Sequence, residues 1–273
     1  MEMRRQIMKI RTVNIILLLA FVALLFVHLN AWAQEEDKPE VSVGVGAFSK
    51  YIWRGYELSD ESIVIQPSVT VGYKGFSINM WGNLDTDPDD MDPDTPDESE
   101  WNETDFTLAH DRSFGPVGLG VGYIYYGLDS IDDSQEVYLC IGLDIPLSPS
   151  LTAYREISHM PGWYFNLEIS QSFDLFKGVT LDFSGSVGYY CSDDDTIVEI
   201  DDNLNPTTEK YRNLHDGLVS IALTIPIGKY CTFSPTVAYS FPLPDDADNL
   251  LTSTSFSNDS DFFICGGTLS ICF

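Results

Sequence analysis

Residues 214–241 read LHDGLVSIALTIPIGKYCTFSPTVAYSF, and their pattern decides the fold. In 214–226, Val219, Ile221, Leu223 and Ile225 share one parity, while Asp216, Ser220, Ala222 and Thr224 share the other. In 230–241, Phe233, Val237, Tyr239 and Phe241 oppose Thr232, Ser234, Thr236 and Ser240. Apolar residues at every second position mark a strand with one face in an apolar medium. Only Ile227-Gly228-Lys229 separates the two runs, so they form a hairpin. A tilted strand crosses a bilayer with about 9–11 residues, and soluble strands average five or six. These runs have membrane-crossing length.

Working outward, the same alternation recurs in twelve segments: 41–58, 62–74, 76–85, 103–113, 117–127, 135–146, 150–158, 162–175, 179–191, 214–226, 230–241 and 261–273. Their connections sort into two sets. One holds the short turns Lys74-Gly75, Phe114-Gly115-Pro116, Leu147-Ser148-Pro149, Phe176-Lys177-Gly178 and Ile227-Gly228-Lys229. The other holds 59–61, 86–102, 128–134, 159–161, 192–213 and 242–260, and with them every long loop. Outer-membrane barrels have short turns at the periplasmic rim and long loops outside, whereas a sandwich has no reason to sort its loops. The expectation is all-β: a single closed antiparallel transmembrane β-barrel of about twelve strands, up-and-down, over 41–273.

The ends agree with export. Residues 1–33 combine a basic start (Arg4, Arg5, Lys9, Arg11), an apolar core from Ile15 to Val27 and the small-residue pattern Ala31-Trp32-Ala33. They are expected to be a cleaved signal peptide, with 34–40 a short periplasmic lead-in. At the other end Leu269, Ile271 and Phe273 share a face. This looks like the C-terminal signal that outer-membrane barrels present to the barrel-assembly machinery, an expected partner along with outer-membrane lipid. Five cysteines without CxxC or Cys/His spacing give no zinc or disulfide framework.

The chain has 14 Lys+Arg against 42 Asp+Glu, a formal charge of −28. Nucleic acid is thereby excluded as a partner, since it needs a basic face. Twenty-four of the 41 acids after residue 33 fall in the long-loop set. A ring of that sign concentrates cations at the mouth within the screening length of about 8–10 Å.

The first strand ends Ser49-Lys50-Tyr51-Ile52-Trp53-Arg54-Gly55. The elements Gln66-Pro67-Ser68 and Tyr73-Lys74-Gly75-Phe76 follow. The S-x-Y-x-x-R-G element (Ser49, Tyr51, Arg54, Gly55) resembles the TorF-type porin family of Gram-negative outer-membrane proteins, and residues 42–85 carry the resemblance. It departs from the family after Gly55, where Tyr56-Glu57-Leu58-Ser59 stands. The resemblance implies a barrel and a pore, and no substrate. From alternation alone, Tyr51 and Trp53 are placed facing lipid with Val41, Val43 and Val45, and Gly55 at a strand-end bend.

Lys50, Arg54, Asp105, Glu136, Glu168 and Asp182 then fall on the inward face, and Arg54 is expected to pair with lumen carboxylates or meet solute. Excess carboxylate over Lys50 and Arg54 favours cations. Two positions resist this scheme. Arg155 shares the lipid parity, which calls for an interface position or a bulge, and His110 with Arg112 does so near a short turn. The aspartates of 85–90 lack the glycine and terminal acid of an EF-hand loop, so no metal and no cofactor are expected. His110, His159 and His215 sit in no nucleophile elbow or metal spacing, so no enzyme is expected either. The expected function is passive diffusion of small cationic or neutral solutes across the outer membrane. The alternatives are a non-conducting structural or adaptor barrel and, behind it, an enzyme at the rim.

Overall fold

In the computed structural model, residues 38–88, 99–129 and 131–273 are described. Segment 1–33, the start of the 34–40 lead-in and residues 89–98 of the acidic 86–102 loop lie outside them. Twelve strands form one closed antiparallel up-and-down barrel. In chain order these are β1 (Glu40–Phe48), β4 (Val64–Tyr73), β5 (Phe76–Asp85), β6 (Glu100–Phe114), β7 (Val117–Leu128) and β8 (Ser134–Leu143). They continue with β9 (Ser150–Glu156), β10 (Gly162–Phe176), β11 (Val179–Ser192), β14 (Arg212–Ile227), β15 (Cys231–Pro242) and β16 (Phe262–Cys272). Two small hairpins are separate from the barrel sheet: β2 (Ile52–Trp53) with β3 (Tyr56–Glu57), and β12 (Val198–Ile200) with β13 (Pro206–Lys210). The helix α1 (Asp245–Thr254) fills part of the last long loop.

Each strand pairs with its barrel neighbours in sequence, and β1 closes the ring against both β4 and β16. Val41 and Phe273 exchange backbone hydrogen bonds, so both ends of the barrel meet at the short-turn rim. Four of the five turns there place a glycine in the left-handed region. Lys74-Gly75 has φ of 51° and 83°, and Lys177-Gly178 has 50° and 79°. Two positive φ values make a type I′ turn, whose twist matches the strands it joins.

The alternation read from sequence sorts the barrel wall. Leu108, Val121, Leu139, Leu167, Val219 and Leu269 project outward, 48–53 % exposed. Burying such side chains is worth about 1.5–3 kcal/mol each, so in water this band would be a standing cost. The inward parity holds small or polar residues, among them Ser68, Thr107, Gly120, Thr152, Ser184 and Thr236.

Two expectations change. Segment 41–58 is not one strand: β1 stops at Phe48, and residues 49–63 fold inward. Tyr51 and Trp53 therefore do not face lipid. Tyr51 is buried against Trp81, and Trp53 packs on Tyr126 inside the barrel. The 242–260 loop contains α1, and 192–213 contains the β12–β13 hairpin. Arg155 points outward without a bulge in its pairings to β8 and β10. It sits one residue from the end of β9, over the ring of Trp163 and 2.5 Å from Asp193, at the long-loop interface. At the other rim His110 stacks on Phe76 and Arg112 lies over Phe114.

Candidate functional site

The site grows from the point where β1 ends. Ser49 ties the chain to β16 once more, its N–H donating to the Cys265 carbonyl and its Oγ accepting from the Cys265 N–H. The chain then turns into the lumen. Lys50 Nζ lies 2.5 Å from Glu57 Oε1, and the Tyr51 N–H donates to Ser59 Oγ at 2.8 Å, so the two arms of the β2–β3 hairpin hold each other. At its tip Arg54 and Gly55 have φ of 51° and 84°, the same turn that Lys74-Gly75 and Lys177-Gly178 make at the short-turn rim. A Cβ on Gly55 would stand 2.8 Å from Leu251 of α1 and 3.1 Å from the Cβ of Asp216. Only glycine serves there.

Arg54 reaches the opposite wall. β1 and β9 lie six places apart around the twelve-strand ring, and β8 is the next strand beyond β9. From its root in β1, the guanidinium binds the Glu136 carboxylate of β8 with Nη1–Oε1 at 2.7 Å and Nη2–Oε2 at 2.8 Å. Three rings surround it, those of Trp53, Tyr154 and Tyr164, at 4.4, 4.6 and 4.2 Å from the guanidinium carbon. The Tyr126 hydroxyl donates to Glu136 at 2.8 Å, and that of Tyr164 donates to Asp216 at 2.9 Å. The two charged side chains are only 13 % and 4 % exposed. Burial opposes the Arg54 charge, but the adjoining Glu136 carboxylate outweighs it and holds the guanidinium pKa above its ordinary value.

The hairpin's other arm is seated on the loop after α1. Glu57, 3 % exposed, accepts from Ser255 Oγ (2.6 Å), Ser257 N (3.0 Å) and Ser257 Oγ (2.8 Å). Burial acts to raise its pKa. The hydrogen bonds from Lys50 and the two serines prevail and hold it below the usual carboxylate range. Tyr56 packs on His215, a residue with no exposed surface, which bonds the Tyr211 hydroxyl at 3.0 Å. His215 is therefore interior packing rather than an open rim group. His159 lies at the rim, partly exposed.

Hairpin, rings and α1 together occupy the long-loop half of the lumen. On the short-turn side of the Arg54–Glu136 pair lies a cavity of about 260 Å³, with Ile124, Asn166, Ser186 and Leu218 in its walls. Beyond it the inward face carries Glu168 and Asp182, joined by Asp111, while Asp105 sits higher, across from Tyr126 and beside Tyr51 and Glu103. Among the described residues no Lys or Arg faces these carboxylates; Lys50 and Arg54, the inward cations, are both spent on glutamates higher up. Asp182 is held by Thr180 and Thr224, and one oxygen of Asp105 is buried without a partner among the described residues. The sequence-named inward residues thus divide: Lys50, Arg54, Glu136 and Asp105 belong to the closure, and Glu168 and Asp182 to the wall. Leu269, Ile271 and Phe273 face outward, with Phe273 stacked on Tyr230.

Glu57, Tyr126, Tyr154, Tyr164 and Asp216 were not singled out from sequence as site residues. Tyr126, Tyr154 and Tyr164 share the parity of the inward residues, but a tyrosine near a strand end reads equally well as a girdle ring.

No protein-family model matches the chain, and no curated protein sequence matches it. Solved structures do align with it. A membrane protein crystallised in meso is 8 % identical with a TM-score of 0.46, over 86 % of this chain and 84 % of that one. OmpF of Salmonella typhi, in complex with daunomycin, is 9 % identical with a TM-score of 0.38, over 87 % and 98 %. An anion-selective porin from Comamonas acidovorans is 7 % identical with a TM-score of 0.35, over 86 % and 99 %. At these scores the likeness carries no weight for function, which rests on the chain's own residues.

Proposed function

We propose that the protein is a porin-like barrel of the Gram-negative outer membrane that passes small solutes passively and prefers cations. One observation carries this reading: an exposed apolar band encloses a lumen whose short-turn half is lined by small polar residues and by carboxylates that no Lys or Arg faces among the described residues. The band fits the hydrocarbon of a bilayer, where a closed barrel satisfies every backbone hydrogen bond. Three carboxylates in a narrow, low-dielectric lumen, Asp111, Glu168 and Asp182, attract cations and repel anions, and the acidic long loops extend that field into solvent. Lys74, Lys177 and Lys229 lie at the short-turn rim, consistent with anionic phospholipid headgroups on that side. The S-x-Y-x-x-R-G resemblance to TorF-type porins agrees with this function.

One observation favours the alternative of a non-conducting barrel: the hairpin closes the long-loop half of the lumen. Planar-bilayer recording of the purified protein separates the two. Discrete steps with a reversal potential on the cation side in a salt gradient support the channel; a silent membrane supports the adaptor.

A further inference from the structure

Arg54 sits in surroundings that would recognise a free guanidinium. Two of its three ring contacts and its carboxylate fork come from the wall: Tyr154 of β9, Tyr164 of β10 and Glu136 of β8, with Tyr126 of the adjoining β7 donating to Glu136. Those groups are fixed without Arg54. Tyr126 orients the Glu136 carboxylate, Asp216 anchors the Tyr164 hydroxyl, and Tyr154 packs between the rings of Tyr138 and Tyr164 at 5.6 and 6.1 Å. A carboxylate presented edge-on between tyrosine faces matches the planar fork of a guanidinium far better than the point charge of an ammonium. The hairpin contributes Trp53 and Arg54 and is held on its own side by Glu57 and the serines after α1.

The space around the pair adds a second, independent indication. The cavity of about 260 Å³ runs from the guanidinium towards the short-turn half of the lumen. Asn166 lines it, and its Oδ1 is buried with no partner among the described residues, leaving an acceptor for a further donor. An alkyl substituent on a bound guanidinium would have room there.

We propose that Tyr126, Glu136, Tyr154 and Tyr164 form a binding site for alkylguanidinium cations, and that Arg54 fills it as a tethered occupant. Withdrawal of the hairpin frees the site, and a free alkylguanidinium replaces Arg54 in it. The consequence for passage rests on the channel reading above; the binding itself does not.

The test uses the full barrel with Arg54→Ala and methylguanidinium as the probe, read by thermal unfolding. At about ten times its Kd the probe should raise the variant's Tm by roughly 3 °C or more. Methylammonium at equal concentration should do much less. Wild type, already occupied, and the double variant Arg54→Ala/Glu136→Gln should not respond. No shift in Arg54→Ala, or an equal shift in the double variant, would overturn the proposal. Should Arg54→Ala fail to reach the folded barrel, methylguanidinium present during refolding should restore its yield, and failure to restore it is equally contrary. A silent bilayer alongside a positive unfolding result would sink the channel reading and leave the site standing.

Discussion

At the scale of single residues, the closure depends on a backbone angle as much as on charge. Gly55 has φ of 84° and no room for a Cβ, while Gly115 has φ of 62° and nothing within 4 Å of its Cβ position. Gly115→Ala should therefore cost only the left-handed penalty of about 1–2 kcal/mol. Gly55→Val should cost more, about 3 kcal/mol, because Leu251 and Asp216 must also move; chemical denaturation of the two variants checks the difference. Glu57 sets a pH dependence. Its folded pKa is depressed, so its contribution to seating the hairpin is fully present above its unfolded value of 4.5 and is lost as pH falls through the folded value. Protease cleavage within 49–63 should thus accelerate in acid below that range in wild type, with a smaller response in Glu57→Gln. Arg54 and Glu136 were each legible as inward charges, but not as partners. They are 82 residues apart, and only the closed ring brings strand β8 opposite the root of the hairpin.

Among elements, the wall strands follow from alternation because lipid outside and polar lumen inside impose a strict period of two. The same rule misled at 49–58. Apolar Tyr51 and Trp53 continue the parity of β1, yet the medium they enter is the aromatic filling of the barrel, which in polarity resembles lipid. The overlooked signal was Arg54-Gly55, a basic-glycine pair like the turns Lys74-Gly75 and Lys177-Gly178. The helix α1 was hidden by its charge. Asp245, Asp246 and Asp248 favour its N-terminal turn, and Ala247, Leu250 and Leu251 supply a helical apolar stripe within a loop that reads as solvated acid. The outer face gives the element-scale prediction. Leu139→Arg, at the middle of β8 and 53 % exposed, should destabilise the barrel in lipid by about 2–4 kcal/mol. Leu143→Arg, at the short-turn end of β8, should cost about 0–1 kcal/mol. Urea titration in vesicles distinguishes them.

For the whole molecule, the ring of twelve strands creates a lumen between the filled interiors of eight-stranded barrels and the open channels of sixteen. The long-loop half is packed with rings and an ion pair; the short-turn half is lined by small residues and carboxylates. Net charge thereby acts through position rather than amount. Neutralising the wall with Asp111→Asn, Glu168→Gln and Asp182→Asn together should lower the cation-to-anion permeability ratio severalfold, although it changes only three of 42 acids. The same number of substitutions in the 192–213 loop should have a smaller effect at physiological salt, where its field is screened. The most direct measurement is single-channel recording of wild type and Arg54→Ala in planar bilayers under a potassium chloride gradient. The account predicts discrete steps, a reversal potential on the cation side and larger conductance in Arg54→Ala. A silent membrane with both proteins, or a reversal potential on the anion side, would contradict it.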